Sequence, residues 1–204
     1  NNGFLKVRVI NDGIIRGGKG CNIPGIYFEN KELTKKDKKS LKWAIENNIK
    51  IISQSFVENK RDIDHIRKYI CEINGDLKSI KLLSKIETNL GVDNFKEIIR
   101  YSDGIIIARG DLIPECGLIN SVDKEFDLLL KVKKYEKEKE VIIATHILDN
   151  MRKGIIPNIN ELESIYTFVN LGVTGFLLAS ETSIGNYPVK SVEMLKMLIN
   201  LYKK

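Results

Sequence analysis

Lys85-Ile86-Glu87-Thr88 recurs in kind, one unit later, as Ala108-Arg109-Gly110-Asp111-Leu112. Each closes an apolar run: Ser79-Ile80-Lys81-Leu82-Leu83-Ser84 precedes the first, and Asp103-Gly104-Ile105-Ile106-Ile107 the second. Short runs rich in β-branched residues, bounded by polar residues and followed by helical patterns, read as buried parallel strands. Side chains alternate along a strand, so Lys85 and Glu87 are expected to leave from one face, and Arg109 and Asp111 likewise. Two carboxylates and two cations would then gather just past the carboxyl ends of neighbouring strands, where α/β folds place their ligands. One Asp and one Glu suit a hard cation that keeps waters and borrows oxygens from a substrate, which describes Mg²⁺. The basic side chains suit phosphate. Solvated strand-end charges are the competing account of either cluster alone, and repetition at equivalent positions weighs against it.

Outward from these two motifs the same rhythm continues. Apolar strand candidates fall near Ile49–Ser53, Ile80–Ser84, Gly104–Ala108, Val141–Ala144 and Gly175–Leu178. Helical patterns lie between and after them: Ile63–Ile73, Asn94–Arg100, Val122–Glu138, Asn160–Asn170 and Val189–Leu201. β-α units repeating at roughly 30-residue spacing predict an α/β fold with a parallel sheet. An open doubly wound sheet lacks support, because no Gly-rich turn of the dinucleotide-binding type joins a strand to a helix. Polar residues end every strand candidate: Ser53 and Ser55, Lys85 and Glu87, Arg109 and Asp111, Thr145 and His146, Ser180 and Glu181. A ring of functional groups at strand ends favours part of a (β/α)8 TIM barrel.

Before the first unit, Phe4–Ile10 alternates like a strand and Asn11-Asp12-Gly13 reads as a hairpin turn. The return through Ile14 ends in Gly17-Gly18-Lys19-Gly20, which lacks the Ser or Thr of a phosphate-binding P-loop and reads as a hinge. Thr34 with Asp37 predicts a capped helix through about Asn47. Residues 1–25 thus read as a hairpin and a hinge, and residues 26–204 as a partial barrel.

Composition bounds the function. Of 204 residues, 43% are hydrophobic and 29% charged, which is ordinary for a folded chain and not for a disordered one. The net charge of +6 is spread out, and its densest stretch, Lys131–Lys139, includes Glu136 and Glu138. That pattern is a solvated helix face, so no nucleic-acid partner is expected. No apolar run approaches membrane-spanning length, so no membrane partner is expected either. Cys21, Cys71 and Cys116 are odd in number, which points to a reducing compartment and not to a disulfide framework.

Six motifs carry a family resemblance: Lys19-Gly20-Cys21-Asn22-Ile23-Pro24-Gly25, Ser55-Phe56-Val57, Lys85-Ile86-Glu87-Thr88, Ala108-Arg109-Gly110-Asp111-Leu112, Ala144-Thr145 with Leu148-Asp149-Asn150-Met151, and Ser180-Glu181-Thr182 followed by Tyr187-Pro188. In that order and at close to that spacing they resemble the pyruvate kinases. The resemblance implies that the units are the fourth to eighth of the barrel, entered at the end of the family's inserted β domain. It implies Mg²⁺-dependent (or Mn²⁺-dependent) phosphoryl transfer between phosphoenolpyruvate and ADP, giving pyruvate and ATP. Glu87 and Asp111 resemble the two protein ligands of the metal, and Lys85 the catalytic lysine beside the transferring phosphoryl group. Arg109 and the backbone N–H groups around Gly110 and Asp111 match the substrate-binding motif. Thr145 resembles the threonine near the reacting carbon, Ser55 a substrate contact and Lys19 a cofactor-binding residue. The family also implies K⁺, with ligands outside this chain, a homotetramer, and a cytoplasmic location, with a plastid as the alternative.

Departures from the pattern open two further expectations. Ile113-Pro114 stands where the family has Gly after Asp-Leu, and His146 where it has Gln. Ala179-Ser180 replaces Ser-Gly, and Pro157–Asn160 lacks an Arg-rich loop. A pyruvate- or oxaloacetate-handling lyase using the same metal, or a catalytically degenerate scaffold, are the alternatives. The chain alone is expected to show no phosphotransferase turnover.

Overall fold

The computed structural model describes residues 6–10, 12–14, 17–18, 21, 23–25 and 32–203. Five parallel strands form one sheet in sequence order: β1 Ile51–Gln54, β2 Lys81–Ile86, β3 Gly104–Ala108, β4 Glu140–Ala144 and β5 Gly175–Leu177. Helices alternate with them: α1 Lys35–Glu46, α2 Lys60–Glu72, α3 Asn89–Asp93, α4 Phe95–Tyr101, α5 Arg109–Cys116, α6 Leu118–Tyr135, α7 Ile159–Asn170, α8 Ser180–Ser183 and α9 Pro188–Tyr202. Parallel strands joined in order through helices make half of a (β/α)8 barrel, as the strand-helix rhythm predicts.

Local chemistry sets the helix starts. Thr34 with Asp37, Asn59 with Asp62 and Asn158 with Glu161 form reciprocal capping boxes that satisfy first-turn N–H groups of α1, α2 and α7. The period-2 alternation of the strands then divides the core in two. Leu82, Ile86, Ile105, Ile107, Val141 and Ile143 face outward and pack on α2, α4, α6, α7 and α9 through residues such as Ile66, Ile98, Leu128, Phe168 and Leu195. Each fully buried aliphatic side chain there contributes about 1.5–3 kcal/mol. Leu83, Ile106, Ala108 and Ala144, with Ile142, form a smaller cluster on the inner face of the sheet. Gly104 lets β3 and β4 meet, because a Cβ there would lie 2.5 Å from the Glu140 carbonyl oxygen.

Three expectations change. β2 runs through Lys85 and Ile86, and α3 starts earlier than the predicted helix because Thr88 Oγ1 accepts the Gly91 N–H and caps it. Arg109 and Asp111 do not continue a strand: α5 begins at Arg109. Residues 6–10 form no strand and are exposed; a two-stranded ribbon without a sheet to pack on is marginal. The remainder of that predicted strand (Phe4 and Leu5), Asn11 of the predicted turn, and Lys19 and Gly20 of the glycine cluster lie outside the described residues.

Candidate active site

The register decides what gathers at the carboxyl end of the sheet. Lys85 pairs with Ile106 and Ala108 with Ala144, so Glu87, two residues beyond Lys85, is level with Ala108. Leu83, Lys85 and Glu87 share the inner face, and the apolar cluster of Leu83, Ile106, Ala108 and Ala144 is the floor beneath the charges. Lys85 Nζ lies 2.5 Å from Glu87 Oε1, with the Glu87 side chain fully buried and the Lys85 side chain 21% exposed. The loop after β1 closes over the pair. Phe56 donates its N–H to Glu87 Oε2 at 2.6 Å, Val57 donates to the Lys85 carbonyl at 3.3 Å, and Lys85 Nζ donates to Ser55 Oγ at 3.4 Å. Phe56 adopts φ +52° to aim that N–H.

Burial pushes the Glu87 carboxyl above its ordinary pKa; the Lys85 ammonium and the Phe56 N–H oppose this, and the nearby Asp111 carboxylate adds to it. Asp111, in the first turn of α5, is therefore close enough for its charge to act on Glu87. Glu87 Oε1 is buried, and its close partner among the described residues is the Lys85 ammonium. A buried carboxylate with a second one near it fits a hard divalent cation completed by water and substrate oxygens. Among the described residues no group of three or more His, Cys, Asp or Glu side chains is placed to hold a metal.

The second half of the site is the turn after β4. Thr145 and His146 both take left-handed backbone, φ +66° and +51°, at a cost of about 1–3 kcal/mol each for non-glycine residues. A β-branched residue there is a genuine outlier. Side chains from two other elements hold it. Arg109 donates from Nε and Nη2 to the Thr145 carbonyl at 3.0 and 2.6 Å, and from Nη2 to the His146 carbonyl at 2.6 Å. Buried Glu181, on α8, accepts the N–H groups of Ile147, Leu148 and Ala179. Thr145 Oγ1 accepts the Gly110 N–H at 2.7 Å and donates to the Ala144 carbonyl at 2.5 Å.

The predicted residues thus divide. Lys85, Glu87, Asp111 and Ser55 come together, and Gly110 with Thr145 forms the adjoining wall. Arg109 does not point with Asp111, because residues two apart on a helix leave different faces. Its guanidinium lies on the Thr145 turn, where it gives its hydrogen bonds to the Thr145 and His146 carbonyls. Ile113 needs no left-handed backbone, since α5 continues through it to Cys116. His146 is exposed, with Nδ1 2.6 Å from Asp149 Oδ2. Lys19 lies outside the described residues.

Sequence reading missed the Phe56 N–H, which no side-chain pattern announces, and two buried acids. Glu181 was visible as a strand-end residue but not as an anchor. Glu125 carries a signal of its own: it occupies the stripe Ser121, Glu125, Leu128, Leu129, Val132 that α6 buries, where an acid is out of place.

Comparison with known proteins gives the family. The family described as "Pyruvate kinase, barrel domain" matches residues 1–192. A relative named pyruvate kinase in Methanocaldococcus jannaschii is 34% identical over 96% of this chain and 45% of its own length. Namesakes in Encephalitozoon cuniculi and Candida albicans are 32% and 35% identical, over 95% and 94% of this chain and 44% and 37% of their own lengths. The chain spans less than half the length of these curated relatives. On the family match over nearly all of its length, the chain belongs to the pyruvate kinase family, a family of phosphotransferases, and carries the part that forms half of the barrel.

Proposed function

We propose that this chain carries the metal, lysine and threonine side of a pyruvate kinase active site, for phosphoryl transfer between phosphoenolpyruvate and ADP. The observation that carries the reading is the convergence of Lys85, Glu87 and Asp111 at the carboxyl ends of β2 and β3, over an apolar floor. Glu87 and Asp111 would hold Mg²⁺ or Mn²⁺, which when bound lowers the cost of negative charge on the phosphoryl and enolate oxygens. Lys85 supplies a point charge beside the transferring group, with Ser55 steadying its ammonium. Transfer of this kind relies on positioning and electrostatic stabilisation more than on covalent chemistry. The Gly110 and Asp111 N–H groups, at the start of α5 where the helix dipole favours anions, would meet the substrate carboxylate. In the structure Thr145 Oγ1 takes the Gly110 N–H, so a carboxylate must displace or share that bond. Thr145 can then order the water or relay the proton that the enolate takes up, although its own pKa is too high for an efficient acid acting alone.

The division into residues 1–25 and 26–204, a cofactor contact at Lys19, K⁺ dependence and tetramer formation belong to the same proposal. The three cysteines are free, and no helix among the described residues is long and apolar enough to cross a membrane. The reading is tested by titrating phosphoenolpyruvate into the chain with and without Mn²⁺, for wild type and Lys85→Met. Binding that needs Mn²⁺ and weakens at least about tenfold in the variant, roughly 1.4 kcal/mol, supports it. Equal binding without a divalent cation contradicts it.

A further inference from the structure

Glu125 lies outside the Lys85, Glu87 and Asp111 cluster, yet it faces the side chain that holds the cluster's neighbouring wall. It is 4% exposed, on the buried stripe of α6. Its Oε1 is 3.7 Å from Arg109 Nε and has no hydrogen-bond partner. The guanidinium sits over the Phe168 ring, 5.6 Å from its centroid, and gives its hydrogen bonds to the carbonyls of Thr145 and His146. Two other acids act on Arg109, but both are engaged. Asp149 contacts His146, and Glu181 accepts three backbone N–H groups. Glu125 is the acid that approaches the guanidinium within ion-pair distance among the described residues.

We infer that Glu125 is a positioning residue for the Thr145 turn. Its carboxylate is the counter-charge that keeps Arg109 on the Thr145 and His146 carbonyls, and so keeps Thr145 Oγ1 against the Gly110 N–H. Stability alone is a poor account of the pair. Burial pushes the Glu125 carboxyl up to about 7 and pulls the Arg109 guanidinium down, and a buried pair with an unsatisfied oxygen is commonly no better than apolar residues of equal volume. Direction is what the pair supplies. Two consecutive residues in left-handed backbone persist only when their surroundings over-determine them, and Arg109 can do so only while it is held inward. The consequence for substrate rests on the pyruvate kinase reading; the structural role does not.

Hydrogen exchange of the Arg109 Nε–H and the Gly110 N–H, followed by NMR at about pH 8 where Glu125 is ionised, is the test. In Glu125→Gln both protons are expected to exchange at least about tenfold faster, with the Ile106 and Ile143 amides unchanged and Glu125→Asp intermediate. Unchanged exchange in Glu125→Gln overturns the inference, and so does acceleration shared by Ile106 and Ile143, which marks a loosened core. Should Glu125→Gln not fold, Glu125→Asp decides by the same two comparisons. In parallel, phosphoenolpyruvate binding with Mn²⁺ is expected to weaken about tenfold in Glu125→Gln while Mn²⁺ affinity stays constant. Wild type that fails to bind phosphoenolpyruvate overturns the functional reading, and the exchange result still judges the positioning role.

Discussion

A missing Cβ at Gly110 lets the start of α5 and the end of β4 share a hydrogen bond. A Cβ there would lie 3.3 Å from Thr145 Oγ1 and 3.4 Å from its Cγ2, so the hydroxyl would have to retreat from the Gly110 N–H. Gly110→Ala is expected to cost about 1–3 kcal/mol in urea unfolding; a loss below about 0.5 kcal/mol would show the contact to be slack. His146 makes the converse case. Its side chain is exposed and hydrogen-bonds to Asp149, while its backbone stands at φ +51° with the carbonyl on Arg109, so relief of backbone strain offsets the extra freedom of an unfolded glycine. His146→Gly should therefore leave stability within about 1 kcal/mol of wild type by the same measurement. At this scale Lys85, Glu87 and Asp111 were legible, because charged residues closing an apolar strand have few structural reasons to be there. Arg109 was not: strand alternation put it beside Asp111, whereas a helix starting at Arg109 sends it the other way.

Among the elements, α6 carries the feature most open to titration. A carboxyl at about 7 in the folded chain, against an ordinary 4.5, binds its proton more tightly folded than unfolded. The stability this contributes is complete below about pH 4.5, declines as the unfolded chain ionises, and is gone once pH passes about 7. Relative to Glu125→Gln, which does not titrate, wild type should lose up to about 3 kcal/mol between about pH 4.5 and pH 8. A constant difference between the two in chemical denaturation across that range would contradict the burial assigned to Glu125. Helices and strands were legible where periodicity was long or caps were present: Thr34 with Asp37 marked α1, and the run through Ile105, Ile106 and Ile107 marked β3. The short α3 and α5 were not, since their starts depend on the Thr88 cap and on where β3 stops, both set by neighbouring strands.

At the scale of the whole molecule, the strands among the described residues form an open parallel sheet, with β1 and β5 at its edges. Beside β1 lies a groove of about 1040 Å³ against α1, lined by Trp43, Ile49, Ile51 and Phe56, all substantially exposed. An unpaired strand edge with apolar neighbours favours association with another edge. The 204-residue chain is therefore expected to self-associate as its concentration rises, and Ile51→Lys to move sedimentation profiles toward monomer; a strictly monomeric wild type would contradict this. Half a barrel was legible from five strand candidates with polar ends, because each β-α unit repeats the same local pattern. The support behind the site was not, because Glu125, Glu181 and Phe56 reach it from distant parts of the chain. The account rests most heavily on one cation held jointly by Glu87 and Asp111. Mn²⁺ affinity, read from the spin-resonance signal of the free ion, tests that claim directly. The account predicts at least about tenfold weaker binding in Glu87→Gln and in Asp111→Asn, with the double variant losing less than the two losses combined because both acids serve one ion. Equal Mn²⁺ affinity in wild type and both single variants would contradict it.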